Sequence, residues 1–596
     1  MRSGRYPDSC HRKKYPKQNG AVRGAAAPAA ISDRSIRRIL KGIGTPEASP
    51  FIPDPFQLKA LEATAAGDCL VCAPTGGGKT WIAIRAIETL LRQGKKAWYA
   101  CPLKALSNDK YRELKIEFGE PRVGILTGDR KENPEASVIV GTTEILRNQL
   151  YDAMHTGESL RTDFIVLDEA HYIGDRERGV VWEEVIIYAP ARIPLLLLSA
   201  TIGNAKMVAA WMESLRGRPC RVVKETKRPV PLYHMFFHHS HGLLPLFVGK
   251  GKNRKLHPSG IQLASRNGRF RIKRISRIGL GTVLETLKQG DLLPAIFFLK
   301  SRADCDAALG LFRHYQPTTG SQEKKRRRYI EAFIQHQPHL KDHAQLGYLR
   351  KQAIGSHHAG QLPGWKVLLE GLMNQRMLDA VFATSTVAAG VNFPARTVVF
   401  LNSDRFDGQE FSPLSPTEFH QMTGRAGRRG MDRIGFTLAI PGRYMDLEWV
   451  AALTGAPASD IKSQIQINFS MTLNLLLSHS PIEIVDILHR SFASFQAQPG
   501  EKHLISEDLE RQFYRHLSFL STNAYAHSDG VLTDDGRWAS KLRTDQPLLI
   551  AEGLRRGVFP ESSPELLAAV ISAVINEKET DGALRSHGHE KKPEEA

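Results

Sequence analysis

The octapeptide Ala73-Pro74-Thr75-Gly76-Gly77-Gly78-Lys79-Thr80 leaves this chain few ways to fold. A short apolar run, Cys69 to Cys72, precedes it. Trp81 to Ile84, Ala86-Ile87 and Leu90-Leu91 follow at helical spacing. Strand, glycine-rich turn and helix make the frame of a phosphate-binding loop. The glycines let backbone N–H groups close around phosphate oxygens with no Cβ in the way. The helix N-terminus adds donors and a partial positive charge. Lys79 is placed to reach the β- and γ-phosphates and Thr80 to ligate Mg²⁺, so ATP and Mg²⁺ are the expected cofactors. Ala73 stands where the pattern usually begins with glycine, and is small enough to fit. Upstream, Gln57 opens a helix carrying Leu58, Leu61 and Ala65. A glutamine at the mouth of a nucleotide pocket can pair with N6 and N7 of adenine, so Gln57 is a candidate base reader.

Beyond the loop the pattern alternates. Apolar runs at 97–101, 123–126, 137–140, 164–167 and 194–198 each end in polar residues, with helical segments between them. This predicts a doubly wound parallel sheet with its working residues at the carboxyl ends of the strands. One run ends in Asp168-Glu169, where a nucleotide hydrolase needs two carboxylates. Asp168 is placed to hold the Mg²⁺ shell and Glu169 to polarise the attacking water.

Asp168-Glu169-Ala170-His171 together with Ser199-Ala200-Thr201 resembles a superfamily-two DExH-box helicase. The longer block through Trp182-Glu183-Glu184, with Pro102 to Asn108 and Thr142 to Asn148, is similar to the superkiller and exosome-associated RNA helicases. The second half carries the rest of that group's motifs in order, from a run at 294–299 to Gln421-Met422-Thr423-Gly424-Arg425-Ala426-Gly427-Arg428-Arg429-Gly430. The resemblance implies two tandem RecA-like α/β domains followed by a winged-helix and a short helical region. It assigns strand contacts to Lys104, Thr127, Gly128, Thr142, Arg147, Ser301, Arg302 and Thr384. It assigns coupling between hydrolysis and domain movement to His171, Ser199, Thr201 and Gly390. Arg425 and Arg428, three apart on one helical turn, become candidate arginine fingers beside Gln421.

The expected divisions are a disordered basic arm at 1–35, RecA-like domains at 36–225 and 291–445, and a basic connecting segment at 226–290. A winged-helix-like region at 446–545, a truncated helical domain at 546–577 and a polar tail at 578–596 follow. Leu532 to Ala539 looks like the wing. The residues after 545 are too few for the full helical domain of that group, so a C-terminally shortened member is expected.

Composition adds limits. A net charge of +19 favours a polyanionic partner. No acidic residue interrupts the cations from Lys250 to Arg277, where a phosphate-contacting hairpin is expected around Phe270 and Ile272. The basic N-terminal arm reads as a phosphate contact, with an organellar presequence as the competing reading. Six scattered cysteines argue against a disulfide scaffold, and Cys69 and Cys72 read as core thiols. His238, His239 and His241 lack the spacing of a metal site. No apolar run could span a bilayer, and a cytoplasmic setting is expected. The reading is an ATP-dependent RNA helicase or translocase moving 3′ to 5′ on single strands. The rivals are a DNA repair helicase of the same superfamily and an ATP-gated RNA clamp or remodeller; no protein partner is named.

Overall fold

The computed structural model describes residues 31–575, except 32, 48–49, 177, 250, 265–278, 318–319, 386–394, 407–410, 498–501, 543, 545 and 561–562. The first helix, α1 (Arg34–Leu40), is capped by Asp33, whose carboxylate accepts from the Ser35 and Ile36 amides. In α2 (Pro55–Ala66), Pro55 occupies the first turn, and Asp54 and Gln57 form a capping box.

The apolar runs of the first half become strands. They are β1 (Asp68–Cys72), β2 (Ala97–Cys101), β3 (Val123–Thr127), β4 (Arg130–Glu132), β5 (Val138–Thr142), β6 (Phe164–Asp168), β7 (Leu195–Ser199) and β8 (Cys220–Lys224). β1, β2, β3, β5, β6 and β7 bury every residue, as a sheet covered on both faces requires. The order is β4-β3-β5-β2-β6-β7-β1-β8, parallel except for the β3–β4 pair. The covering helices include α3 (Lys79–Leu91), α4 (Lys104–Phe118), α5 (Thr143–Thr156), α6 (Gly179–Tyr188) and α7 (Ala205–Arg216).

The second sheet begins earlier than the sequence suggests. β9 (Leu232–His238) and β10 (Gly242–Pro245) lie in the stretch expected to be a connector. β9 pairs in parallel with β19 (Gly435–Ala439), from Leu232 opposite Gly435 to Phe236 opposite Ala439. The histidines flanking this run hid its apolar face: Met235, Phe236 and Phe237 are buried. A small hairpin of β11 (Phe247–Val248) and β12 (Lys255–Leu256) follows, with the Arg254 guanidinium 3.6 Å from the Phe247 ring centre. The hairpin expected at Phe270 and Ile272 lies outside the described residues. The sheet is completed by β13 (Ala295–Phe298), β14 (Ile354–His357), β15 (Ala380–Ala383) and β16 (Thr397–Phe400), in the order β10-β9-β19-β16-β13-β15-β14. β17 (Asp404–Phe406) and β18 (Phe411–Pro413) pair as a separate hairpin.

Two long-range attachments position the halves. Ile36 of α1 is buried against the second domain, among Phe237, Leu243 and Leu287, so the described chain starts on domain 2 before entering domain 1. The helices after domain 2 pack back on domain 1: Trp211 of α7 donates to the Arg490 carbonyl at 3.0 Å, and its ring lies 4.9 Å from Phe492. The stretch expected as a wing is a helix start. A single bridge joins Ala526 to Leu532, and a helix then runs Asp534–Lys541. Its cap is Thr533, and Asp534 and Asp535 occupy the first turn, where the helix dipole favours them. No described helix is long and apolar enough to cross a membrane.

Candidate nucleotide site and strand-facing edge

The glycine-rich loop joins β1 to α3 as its residue types require. Gly76 and Gly78 take φ +79° and +82°, the region that favours glycine. A Cβ on Gly78 would stand 2.5 Å from Gln57 Nε2 and 2.9 Å from an Arg429 nitrogen, so the backbone there is closely embraced. The Ala73 amide donates to the Ser199 carbonyl at 3.2 Å, which ties the loop to the end of β7. Lys79 Nζ donates to the carbonyls of Ala73 at 2.8 Å and Pro74 at 3.4 Å. Burial depresses the Lys79 pKa, against the pull of Glu169 and Asp168.

Asp168 closes β6. Its Oδ2 accepts from Tyr99 Oη at 2.7 Å, and its Oδ1 accepts from the Glu169 amide at 3.0 Å. Burial and the neighbouring Glu169 raise its pKa. Glu169 adopts φ +58°, a turn that carries its carboxylate away from the strand axis. Burial also pushes the Glu169 carboxyl up, but His171, Lys79 and Arg425 pull harder and hold it below the ordinary range. His171 Nδ1 lies 3.4 Å from Glu169 Oε2, and burial keeps the imidazole neutral-leaning. The Ser199 hydroxyl is buried with no hydrogen-bond partner among the described residues.

Thr80 and Asp168 offer one hydroxyl and one carboxylate, hard oxygen donors of the kind Mg²⁺ takes. No group of three or more His, Cys, Asp or Glu among the described residues could hold a metal. The hydroxyl and the carboxylate fit Mg²⁺ where its remaining ligands come from phosphate and water. Lys110 Nζ also donates to Thr80 Oγ1 at 2.7 Å, a contact that the loop pattern did not announce.

Domain 2 meets this site through the helix Pro416–Gly424, which carries Gln421, and the turn after it. A Cβ on Gly424 would stand 2.9 Å from Thr75 Oγ1, so the two domains touch at the loop itself. Arg425 is electrostatically coupled to Glu169 and Tyr172. Arg428 stands differently from the sequence expectation. Its guanidinium is buried and bound bidentately to Asp432, with Nε to Oδ2 at 2.7 Å and a terminal nitrogen to Oδ1 at 2.8 Å. Asp432 also accepts from Arg396 at 2.9 Å. Arg429, which the finger assignment passed over, crosses the cleft to the Gly77 carbonyl at 3.3 Å and to Asp54 at 3.0 Å.

Gln57 is also tied to the loop. It is fully buried; its Oε1 accepts from the Asp54 amide at 2.8 Å and its Nε2 donates to the Gly78 carbonyl at 3.0 Å. The side chain thereby braces the loop from the start of α2. Beside Arg429 stands Phe51, an exposed ring 5.6 Å from Trp81 and 5.8 Å from the Arg429 guanidinium.

The residues expected to meet a strand gather along one edge. Lys104 follows β2, Thr127 and Gly128 close β3, and Thr142 closes β5; these strands are neighbours. Lys104 Nζ lies 3.4 Å from Asp129, which also accepts from Thr127 Oγ1 at 2.9 Å. In domain 2, Ser301 caps the helix opened by Arg302 just after β13, and Thr384 follows the adjacent β15. Arg147, in the first turns of α5 after β5, pairs with the buried Glu184 at 3.1 Å and lies over the Tyr151 ring. Thr201 follows β7 and is partly buried; Gly390 lies outside the described residues.

Comparison with known proteins agrees with this geometry. Residues 54–208 match the DEAD/DEAH box helicase family, and residues 529–595 match the DSHCT (NUC185) domain. The chloroplastic DExH-box ATP-dependent RNA helicase DExH15 of Arabidopsis thaliana is 37% identical over 469 residues, covering 71% of this chain and 40% of that protein. The probable helicase HelY of Mycobacterium tuberculosis is 37% identical over 473 residues, covering 75% of this chain and 52% of its own length. The human exosome RNA helicase MTR4 is 36% identical over 469 residues, covering 76% and 44% respectively. The chain thus spans about half the length, or less, of these relatives. The chain therefore carries a DEAD/DEAH box helicase domain built around the phosphate loop and a DSHCT domain behind it, and its homologues are of the superkiller and MTR4 type.

Proposed function

We propose that the chain is an ATP-dependent RNA helicase or translocase that hydrolyses ATP between its two α/β domains while a single strand lies along their carboxyl edges. The observation that carries this reading is the contact of domain 2 with the phosphate loop, Gly424 against Thr75 and Arg429 on the Gly77 carbonyl, with the charge of Arg425 helping to hold the Glu169 carboxyl down. Lys79 would exchange the Ala73 and Pro74 carbonyls for phosphate oxygens. Thr80 and Asp168 would hold Mg²⁺, which supplies charge neutralisation at the β- and γ-phosphates. Glu169, kept ionised, would take the proton of the attacking water at its free carboxylate oxygen. Arg425 would meet the charge that develops on the transferred phosphoryl group, so hydrolysis needs the domains closed. A purine base would lie against Phe51, outside the braced Gln57. The expected travel is 3′ to 5′, and tailed RNA duplex is the expected substrate.

The test is steady-state ATP hydrolysis with and without single-stranded RNA and single-stranded DNA, using Glu169→Gln as the blank. Stimulation by RNA and not DNA is the expected outcome. Equal stimulation by both would replace RNA by a general single strand. No stimulation by either would overturn the strand-dependent motor.

A further inference from the structure

One cation in the site has no part in the reading above. Lys110 lies in the middle of α4, where a lysine would ordinarily extend into water and pair within its own helix. It does pair with Glu113 at 2.8 Å, but its side chain is only 14% exposed. The same ammonium reaches off the helix to Thr80 Oγ1 at 2.7 Å, on α3. Burial works against its charge, yet Asp168 and Glu113 outweigh burial and hold it protonated. A monovalent cation therefore contacts one proposed Mg²⁺ ligand, Thr80, directly.

We propose that Lys110 is a tethered ammonium that competes with the divalent cation for the Thr80 hydroxyl, and so sets how tightly the site takes Mg²⁺. The inference rests on Thr80 and Asp168 being the Mg²⁺ ligands. A hydroxyl has two lone pairs, but an ammonium and a dication cannot share one oxygen without strong repulsion in a partly buried site. Lys110 must withdraw when the divalent ion enters, and Glu113, 45% exposed, is the partner that can follow it toward solvent. Because α4 begins at Lys104, the exchange also connects metal occupancy to the helix that carries a proposed strand contact.

The test measures Mn²⁺ binding to the full chain in the presence of ADP, with free Mn²⁺ counted by electron paramagnetic resonance. In Lys110→Met and Lys110→Gln the Mn²⁺ dissociation constant is expected to fall by about fivefold or more, since mutually exclusive contacts typically couple at that scale. Lys110→Arg keeps the charge and is expected to keep the wild-type constant. A purely structural lysine would not give this split between neutral and charged replacements. Unchanged or weaker Mn²⁺ binding in the neutral variants overturns the proposal; if Lys110→Met does not fold by circular dichroism, Lys110→Gln decides. Absence of ADP-dependent Mn²⁺ binding in the wild type would instead overturn the Thr80–Asp168 assignment, and the role of Lys110 with it.

Discussion

Arg425, Arg428 and Arg429 sit within five residues of one another and have three different surroundings. Arg425 lies half-buried within the field of Glu169, Arg428 is locked to Asp432 inside domain 2, and Arg429 spans to the phosphate loop. Their substitutions should therefore fail differently. Arg425→Ala is expected to slow ATP hydrolysis by about 10³-fold or more while the protein melts like wild type, the scale of a lost arginine finger. Arg428→Ala leaves Asp432 buried with one partner fewer, a loss of about 3–5 kcal/mol that should appear in denaturant unfolding of domain 2. A stable Arg428→Ala protein with abolished hydrolysis would reverse the two assignments. The glycine-arginine pattern placed all three near the nucleotide but could not rank them. The overlooked signal was Asp432, four residues after Arg428 and able to claim it across the tight turn that follows the helix. The intramolecular partners of Gln57 and Arg147, the Gly78 carbonyl and Glu184, were likewise not legible, because a sequence does not show which acceptor the fold brings within reach.

At the scale of elements, the apolar runs at 97–101, 123–126, 137–140, 164–167 and 194–198 each became a strand, because full burial on both faces leaves a plain signature. Elements with mixed composition were not legible. β9 is interrupted by histidines, and the helix Asp534–Lys541 begins with a turn-like Thr-Asp-Asp-Gly. Nor did the sequence reveal how α6 is fastened to the helices that follow domain 2. Glu183, fully buried on α6, accepts from Ser463 Oγ, from the Gln464 amide at 3.3 Å and from the Phe492 amide at 3.2 Å. Burial raises its pKa to about 7 despite those hydrogen bonds, with Glu184 adding to the rise. A carboxyl raised in the folded state stabilises fully below its unfolded pKa, and that stabilisation is lost as pH rises through 7. The change is on the order of 3 kcal/mol across the window. The thermal midpoint should therefore fall between pH 5 and pH 8, and Glu183→Gln should flatten that slope. A wild-type slope retained in Glu183→Gln would remove Glu183 as its source.

At the scale of the molecule, the two domains are joined three times rather than once. The chain crosses between them after β8. It returns after domain 2, where the Ser459 carbonyl accepts from Gly203 at 3.1 Å and Asn204 holds both the amide and the carbonyl of Ile461. The third link lies upstream of the phosphate loop: α1 sits on domain 2, the Gly44 carbonyl accepts from Arg433 at 3.1 Å, and Asp54 meets Arg429. A seven-residue helix has almost no stability of its own, so α1 is held there by its packing, above all by Ile36. Ile36→Ala removes about 2–4 kcal/mol of that packing and should release the helix. Hydrogen exchange at the α1 amides should then rise while exchange in β13 and β16 stays slow, since the domain 2 core is otherwise intact. A tether of this kind raises the effective concentration of one domain at the other, so its release should cost closure of the cleft more than chemistry within it. The KM for ATP should accordingly rise in Ile36→Ala, with kcat at saturating ATP much less affected. Faster exchange at α1 with an unaltered KM would mean that the crossing after β8 and the return at 459–461 suffice to hold the cleft, and that α1 only covers the edge of domain 2.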